Sequence, residues 1–229
     1  MTIVALAGIV LLLTHLGISG TRLRDGMVAT LGESGYLGLY SLLTLVTMGG
    51  LIWAYINAPR IDYFWWPSSL AFWVPKVLMW PAAILLVGGF MVRNPTMVGQ
   101  GDMVNDPEAR SAAATGVNRI TRHPFQWSVI LWAASHLVAN GDTASVAFFL
   151  TFFCLSLFGS YSLDAKKSRQ LGAGWQAFAG QTSNVPFAAI ARGEQRLVFK
   201  ELLLPMLAGT VAYAALYLGH PWLAGIGVY

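Results

Sequence analysis

Apolar residues run almost unbroken through six stretches of the chain, 2–20, 36–57, 69–92, 124–139, 143–163 and 200–219. Most approach the ~20 residues that a helix needs to cross a hydrocarbon core about 30 Å thick. Polar positions collect between them, at 21–35, 58–68, 93–123, 140–142 and 164–199. The pattern predicts an all-α membrane protein, a six-transmembrane helix bundle with both termini on the periplasmic side and a single membrane domain over residues 1–229. Residues 1–20 read as a retained first helix, because no basic segment precedes the apolar run and Arg22 and Arg24 follow it, the reverse of a secretory signal.

Composition strengthens this reading. Hydrophobic residues make up 56% of the chain and charged residues only 10%, far below the roughly 25% charge of a soluble domain. The distribution of charge sets the orientation. Twelve of the 14 lysines and arginines fall on the side of the first, third and fifth loops: Arg22, Arg24, Arg93, Arg110, Arg119, Arg122, Lys166, Lys167, Arg169, Arg192 and Arg196, with Lys200 at the boundary. Arg60 and Lys76 belong to the other side. Loops rich in Lys and Arg stay in the cytoplasm, so this face is expected to be cytoplasmic and both termini to face outward, with the aromatic segment 62–73, DYFWWPSSLAFW, as an outer interfacial belt. The net charge of +4 follows from this asymmetry and calls for no nucleic acid. The single cysteine, Cys154, lies inside an apolar run and can form no intrachain disulfide.

Against this apolar background the polar exceptions carry the candidate chemistry. His15 and His136 fall within predicted spans, and ionisable groups there are costly and point to function. At helical spacing His15 shares a face with Gly8, Leu11 and Ser19, and His136 with Ser128, Trp132, Ser135 and Asn140. Tyr36, Tyr40, Thr44 and Thr47 make a third polar face on the second span. Small and polar faces turn toward a bundle interior. Two functions fit them: hydrogen bonding between helices, or two imidazoles on the iron of a b-type haem. On a straight-helix reckoning the two histidines differ in depth by roughly 10 Å, so a shared iron requires tilt. Arg119, Arg122 and His123 precede Pro124, which opens the fourth span as a first-turn proline. Cations oppose the dipole at a helix N-terminus, so helix stability does not explain them. They either anchor to anionic headgroups or cradle a phosphate, carboxylate or haem propionate. The long loop over 93–118 is placed to cover this mouth, and a short interfacial helix is expected near Gly174–Gly180. Asn140, Gly141 and Asp142 read as a tight turn. No P-loop, zinc-ligand cysteine cluster or Ser-His-Asp pattern occurs.

Several segments, THLGISGTRLRD (14–25), GYLGLYSLLTL (35–45), YINAP (55–59), RITRHPFQWSVILWAASHLVANGD (119–142) and VPFAAI (185–190), together resemble the NnrU family. The resemblance covers nearly the whole chain. It implies a polytopic, multi-pass protein of the bacterial inner (cytoplasmic) membrane associated with denitrification and nitric oxide metabolism. That family is similar in turn to plant zeta-carotene isomerase, a haem b enzyme, and the similarity implies His15 and His136 as the metal ligands. Ser128, Trp132 and Asn140, on the His136 face, and Arg119, Arg122 and His123, at the mouth, are then candidate cofactor-binding residues; no catalytic residue is assigned. Ala133 stands where the isomerase has a cysteine, so any redox switching through that thiol is lost. A weaker similarity of the Arg-His-Pro segment reaches isoprenylcysteine carboxyl methyltransferases and sterol reductases, although Asp164 and Ala165 replace the glutamate pair of the methyltransferases. Three functions follow: a haem-dependent isomerase or oxidoreductase acting on a quinone or polyene from the lipid, a non-enzymatic transporter or accessory factor for nitrogen-oxide respiration, or a methyltransferase-like enzyme.

Overall fold

The computed structural model describes residues 2–225, which are helical with short connections. Six long helices are present: α1 (Thr2–Ile18), α2 (Arg22–Ile56), α3 (Trp73–Met91), α5 (Pro124–Ala139), α6 (Thr143–Gly180) and α8 (Phe199–Ala224). Two short helices, α4 (Pro107–Ala113) and α7 (Ala188–Ala191), and 3-10 turns at Gly101–Asn105 and Gly116–Arg119 lie between them. Five of the long helices, α1, α2, α3, α6 and α8, are long and apolar enough to cross a membrane, making this a multi-pass membrane protein. The fourth expected span, α5, has 16 residues, about 24 Å of helix, less than the hydrocarbon thickness.

Two helices are longer than their apolar runs. The expected loop over 21–35 is the first part of α2, capped by the Thr21 side chain, which accepts from Leu23 N–H, and bent at Gly32, whose φ of 71° suits glycine. Likewise, α6 does not stop at residue 163 but continues to Gly180 through a second bend at Gly172, with φ 51°. Charged residues end a hydropathic span without ending a helix: Asp164, Lys166, Lys167 and Arg169 remove no backbone hydrogen bond, so the helix runs on out of the apolar zone. Beyond Gly172, Trp175 and Phe178 are buried against Met103, Val104, Ala113 and Ala114. The expected interfacial helix near Gly174–Gly180 is therefore the end of α6, docked on the 93–118 segment. Together they cap the basic end of the bundle.

The long helices pack in a row, α2 on α1, α1 on α6, α6 on α5, α5 on α3 and α3 on α8. Small residues set the spacing. A Cβ at Gly8 would lie 2.2 Å from Thr151 Oγ1, one at Gly20 would lie 1.8 Å from Ser162 Oγ, and one at Gly209 would lie 2.6 Å from the Ile84 Cα. Such close backbone approach is the usual basis of helix association where lipid removes the hydrophobic drive. The Gly8 and Gly20 contacts also show that α1 and α6 run parallel. Between α1, α2, α5 and α6 an apolar core gathers Val4, Leu11, Leu51, Ala144, Phe148 and Phe149, with Trp132 packed against it. The outer faces remain apolar and exposed, as at Leu13, Leu45, Leu204 and Leu207, and these are the surfaces that lipid covers.

Candidate functional site

The Arg-His-Pro segment is built into a polar lattice. Thr121 and His123 are completely buried. Arg122 donates from Nε to Asp164 Oδ1 at 2.9 Å and from Nη2 to Oδ2 at 2.5 Å. Its Nη1 donates to the Thr182 carbonyl at 3.1 Å, and its backbone N–H donates to Ser183 O at 2.9 Å. His123 Nε2 lies 2.7 Å from Asp164 Oδ1. Asn94 Nδ2 donates to the Arg122 carbonyl at 3.0 Å, and the Thr121 hydroxyl donates to the Asn184 carbonyl. Arg119 forks onto Glu201, with Nε to Oε2 at 2.7 Å and Nη2 to Oε1 at 2.9 Å, and reaches Gln195 with Nη1.

This arrangement differs from an open cationic mouth. Arg119, Arg122 and His123 already have carboxylate partners, so an external anion would have to compete with Glu201 and Asp164. Neither carboxylate was assigned a partner from sequence. Asp164 stands 42 residues from Arg122 and Glu201 stands 82 from Arg119, separations at which sequence spacing carries no geometric signal. The one available hint is scarcity, since Asp164 and Glu201 are acids beside long apolar runs.

His123 has an electrostatic character of its own. Burial pushes its pKa below the ordinary 6.5, more than its bond to Asp164 raises it, and Arg122 lowers it further. The ring is therefore neutral near pH 7. Because a carboxylate can only accept, the N–H is on Nε2. Nδ1 is then a buried lone pair, and it has no hydrogen-bond partner among the described residues. The linkage has a definite sign. Below pH 6.5 the unfolded chain takes up a proton that folded His123 refuses, so stability falls as the pH drops through this range, with a slope of up to about 1.4 kcal/mol per pH unit. Thermal unfolding in detergent between pH 7.5 and 5.5 should show this acid slope for the wild type and a shallower one for His123→Asn; equal slopes would exclude His123 as the source.

His15 and His136 lie above this lattice. His15 Nδ1 lies 3.1 Å from the Leu11 carbonyl, and His136 Nδ1 lies 2.8 Å from the Trp132 carbonyl. A carbonyl only accepts, so both rings carry their proton on Nδ1 and keep Nε2 as the lone-pair nitrogen. A hydrogen bond from the other ring nitrogen is the usual way a ligating histidine is oriented. The surroundings differ. The His15 ring is 5.6 Å from Tyr40 of α2. The His136 ring is 5.0 Å from Phe149, 5.5 Å from Trp132 and 6.5 Å from His220.

Their relative height can be read from α6. Gly8 sits on Thr151 and Gly20 on Ser162, which puts His15 level with residue 157. The His136 ring lies against that of Phe149. Eight residues of helix separate the levels, about 12 Å. Each ring leans toward the N-terminus of its own helix. Since α1 runs parallel to α6 while α5 runs antiparallel to it, the two rings lean toward each other's level.

The remaining expected cofactor contacts are used locally. Ser128 Oγ donates to the Phe125 carbonyl at 2.9 Å, and Asn140 Nδ2 donates to the His136 carbonyl at 2.9 Å, closing the end of α5. Trp132 forms edge contacts with Phe148, Phe149 and Phe152, leaving an aromatic wall beside His136. No group of three or more His, Cys, Asp or Glu side chains that could hold a metal ion occurs among the described residues.

With this geometry established, known proteins extend the picture. Residues of this chain are 35% identical over 115 positions to the chloroplastic 15-cis-zeta-carotene isomerase of Arabidopsis thaliana, covering 48% of this chain and 31% of that protein. The corresponding Zea mays isomerase is 33% identical over 111 positions, covering 47% of this chain and 30% of the plant protein. The aligned part thus spans about a third of the length of each of these relatives. No solved structure is significantly similar. A family model described as NnrU protein matches residues 3–228, nearly the whole chain, and the chain belongs to the NnrU family.

Proposed function

We propose that this protein is a membrane-embedded isomerase-type enzyme acting on a hydrophobic polyene, with haem b held through His136 and His15. The supporting observation is the donor set. Two imidazoles inside apolar helices each commit Nδ1 to a backbone carbonyl, at 3.1 Å for His15 and 2.8 Å for His136, and keep Nε2 as the lone-pair nitrogen. The tetrapyrrole would provide the rest of the coordination. Likeness to the two plant 15-cis-zeta-carotene isomerases supports a conjugated, lipid-soluble substrate. Bound haem would supply one-electron chemistry at a conjugated double bond.

The residues of the chain have separable tasks in this reading. The Trp132, Phe148, Phe149 and Phe152 wall offers a flat apolar surface beside His136 for a polyene. Arg119 and Arg122 hold the end of α5 through Glu201 and Asp164, which fixes the height of His136 in the bundle; haem propionates would meet these cations only by displacing a carboxylate. Ser128 and Asn140 keep α5 regular around the ligand. The distribution of charge supports α5 as a sixth, short crossing with Thr2 and Gly225 on the side away from the cytoplasm, the periplasm if the protein sits in a bacterial inner membrane.

An absorption spectrum of the detergent-purified protein tests the proposal. A Soret band that shifts on dithionite reduction is expected, with loss of most of the band in His136→Ala. A protein purified from haem-replete cells with no Soret band would overturn it.

A further inference from the structure

The basic end of the bundle holds cations of two kinds. Arg119 and Arg122 are each bound to a carboxylate, Glu201 and Asp164. Lys166, two residues beyond Asp164 on α6, makes no hydrogen bond or ion pair with the described residues. Burial, together with the charges of Arg24 and Lys167, pushes its pKa down to about 8, against the opposing influence of Glu33 and Asp25. The unfolded chain keeps this proton up to 10.5. A folded pKa below the unfolded one means that the ammonium costs stability, in full below about pH 8 and less and less between there and 10.5. Topology does not require that cost, because a lysine that only marks the inner side of a membrane can reach water along its flexible stem.

The neighbours of Lys166 deepen the charge excess. Arg24, on the first segment of α2, is only 12% exposed; it lies 5.1 Å over the Tyr36 ring, 2.6 Å from Glu33 and 3.7 Å from Asp25. Its donors are not used up, since Nε is buried with no hydrogen-bond partner among the described residues. Arg169 donates to the Gly20 carbonyl at 2.7 Å and so ties α6 to the α1–α2 turn. Arg22, Arg24, Lys166, Lys167 and Arg169 outnumber the acids of this corner, Asp25, Glu33 and Asp102.

An apolar shelf adjoins these cations. Arg22, Leu23, Gly26, Met27, Thr30 and Leu31 line an open concavity of about 420 Å³. Met27 and Leu31 stand three and seven residues after Arg24, so the concavity borders the arginine across one helix face. Leu23 and Leu31 are exposed. A small free anion would leave this shelf uncovered, whereas an amphiphile with an anionic head meets both parts of the surface.

We propose that the corner formed by the α1–α2 turn, the first segment of α2 and the inner part of α6 binds one anionic phospholipid, with its phosphate on Lys166 in the field of Arg22 and Arg24 and an acyl chain on Leu23, Met27 and Leu31. The lipid supplies the counter-charge that the chain itself withholds from Lys166, and it holds the part of α2 before the Gly32 bend against α6. Nothing in this site depends on the haem reading.

The test uses the full chain, purified in a neutral detergent and stripped of lipid, then titrated with dioleoyl phosphatidylglycerol. Native mass spectrometry counts bound lipid, and thermal unfolding reads the stabilisation that binding confers. One retained phosphatidylglycerol and a raised melting temperature are expected, with neither from dioleoyl phosphatidylcholine. Lys166→Met should weaken phosphatidylglycerol binding by about fivefold or more, the effect of one basic residue at an anionic surface. Lys166→Arg should restore it, and Lys200→Met, which removes an exposed charge from the same end, should leave it unchanged. Before lipid is added, Lys166→Met should melt at or above the wild-type temperature, because a repelled ammonium is gone. A clearly lower melting temperature at that stage would make Lys166 a structural residue and overturn the proposal. So would equal binding of the two lipids, or equal losses in Lys166→Met and Lys200→Met, the mark of diffuse surface charge. If soluble glycerol phosphate stabilises the protein as well as phosphatidylglycerol does, the ligand is a free phosphate ester and the lipid site is refuted.

Discussion

Replacing Asp164 by alanine is expected to cost more stability than any other single polar substitution in this protein. The carboxylate accepts two hydrogen bonds from Arg122, at 2.9 and 2.5 Å, and one from His123 at 2.7 Å. The side chains are largely withdrawn from solvent, with exposures of 18% for Asp164, 13% for Arg122 and 0% for His123. Water therefore cannot replace the lost acceptor. Removing one partner of a buried pair strands the other, at a cost of about 3–5 kcal/mol. For a chain of this size that corresponds to a fall in melting temperature on the order of 10 °C. Asp164→Asn should fall in between, because it keeps an acceptor for the His123 N–H but loses the charge opposite Arg122. Arg122→Leu on the Asp164→Ala background should recover part of the loss, because the stranded guanidinium is gone. Thermal unfolding of the four proteins decides the matter; an Asp164→Ala curve that overlays the wild type would show that the lattice is not structural.

The second large effect is expected at the opposite end of α5. Gly141 stands in an Asn-Gly-Asp turn that reads as ordinary turn chemistry, but its φ is not left-handed. Its requirement is space. A Cβ at this position would lie 1.7 Å from the Trp65 carbonyl oxygen. Backbone cannot swing aside as a side chain can. The strand-like contact between this turn and the aromatic segment would open, with loss of the Phe64 N–H to Gly141 O bond at 2.8 Å and the Thr143 N–H to Asp62 O bond at 2.9 Å. Gly141→Ala should therefore destabilise by about 3 kcal/mol, the upper end of ordinary overpacking. It should also shift tryptophan emission as Trp65 and Trp66 are released. Gly17, where an added Cβ meets nothing within 4 Å, is the control: Gly17→Ala should be neutral or slightly stabilising, by up to about 1 kcal/mol. Equal melting temperatures for Gly141→Ala and wild type would refute the close approach.

The two effects bracket the candidate ligand helix. Arg122 and Asp164 fasten α5 where it begins, and Gly141 fastens the turn where it ends. Both lie outside the apolar zone, where ion pairs and backbone contacts of this kind can be made with least desolvation. Between them α5 carries Trp132 and His136 on a short, straight helix. A ligand placed to within a fraction of an ångström needs such fixed ends more than it needs a long span.

Sequence alone determined the features that follow from chain-local physics. Helices were readable because an apolar segment in lipid must satisfy every backbone group internally. His15 and His136 stood out because a titratable ring in an apolar run is costly wherever it packs. The beginning of α5 was legible from Pro124, whose missing N–H costs least in the first turn of a helix. Helix ends were legible only where a cap or proline marked them. At 21–35 and after 163 hydropathy marked the edge of the apolar run, and the helices went on past it.

Only the tertiary structure decided what the cations face, why Gly141 must be glycine, and which rings are neighbours. Arg122 meets Asp164 because α5 and the inner part of α6 lie side by side, a consequence of packing and not of any spacing along the chain. The 6.5 Å approach of His136 and His220 likewise depends on α3 packing against both α5 and α8. Local sequence governs backbone hydrogen bonding and solvent preference. The pairing of side chains across helices is set by shape and contact over the whole bundle, so it becomes visible only when the helices are placed.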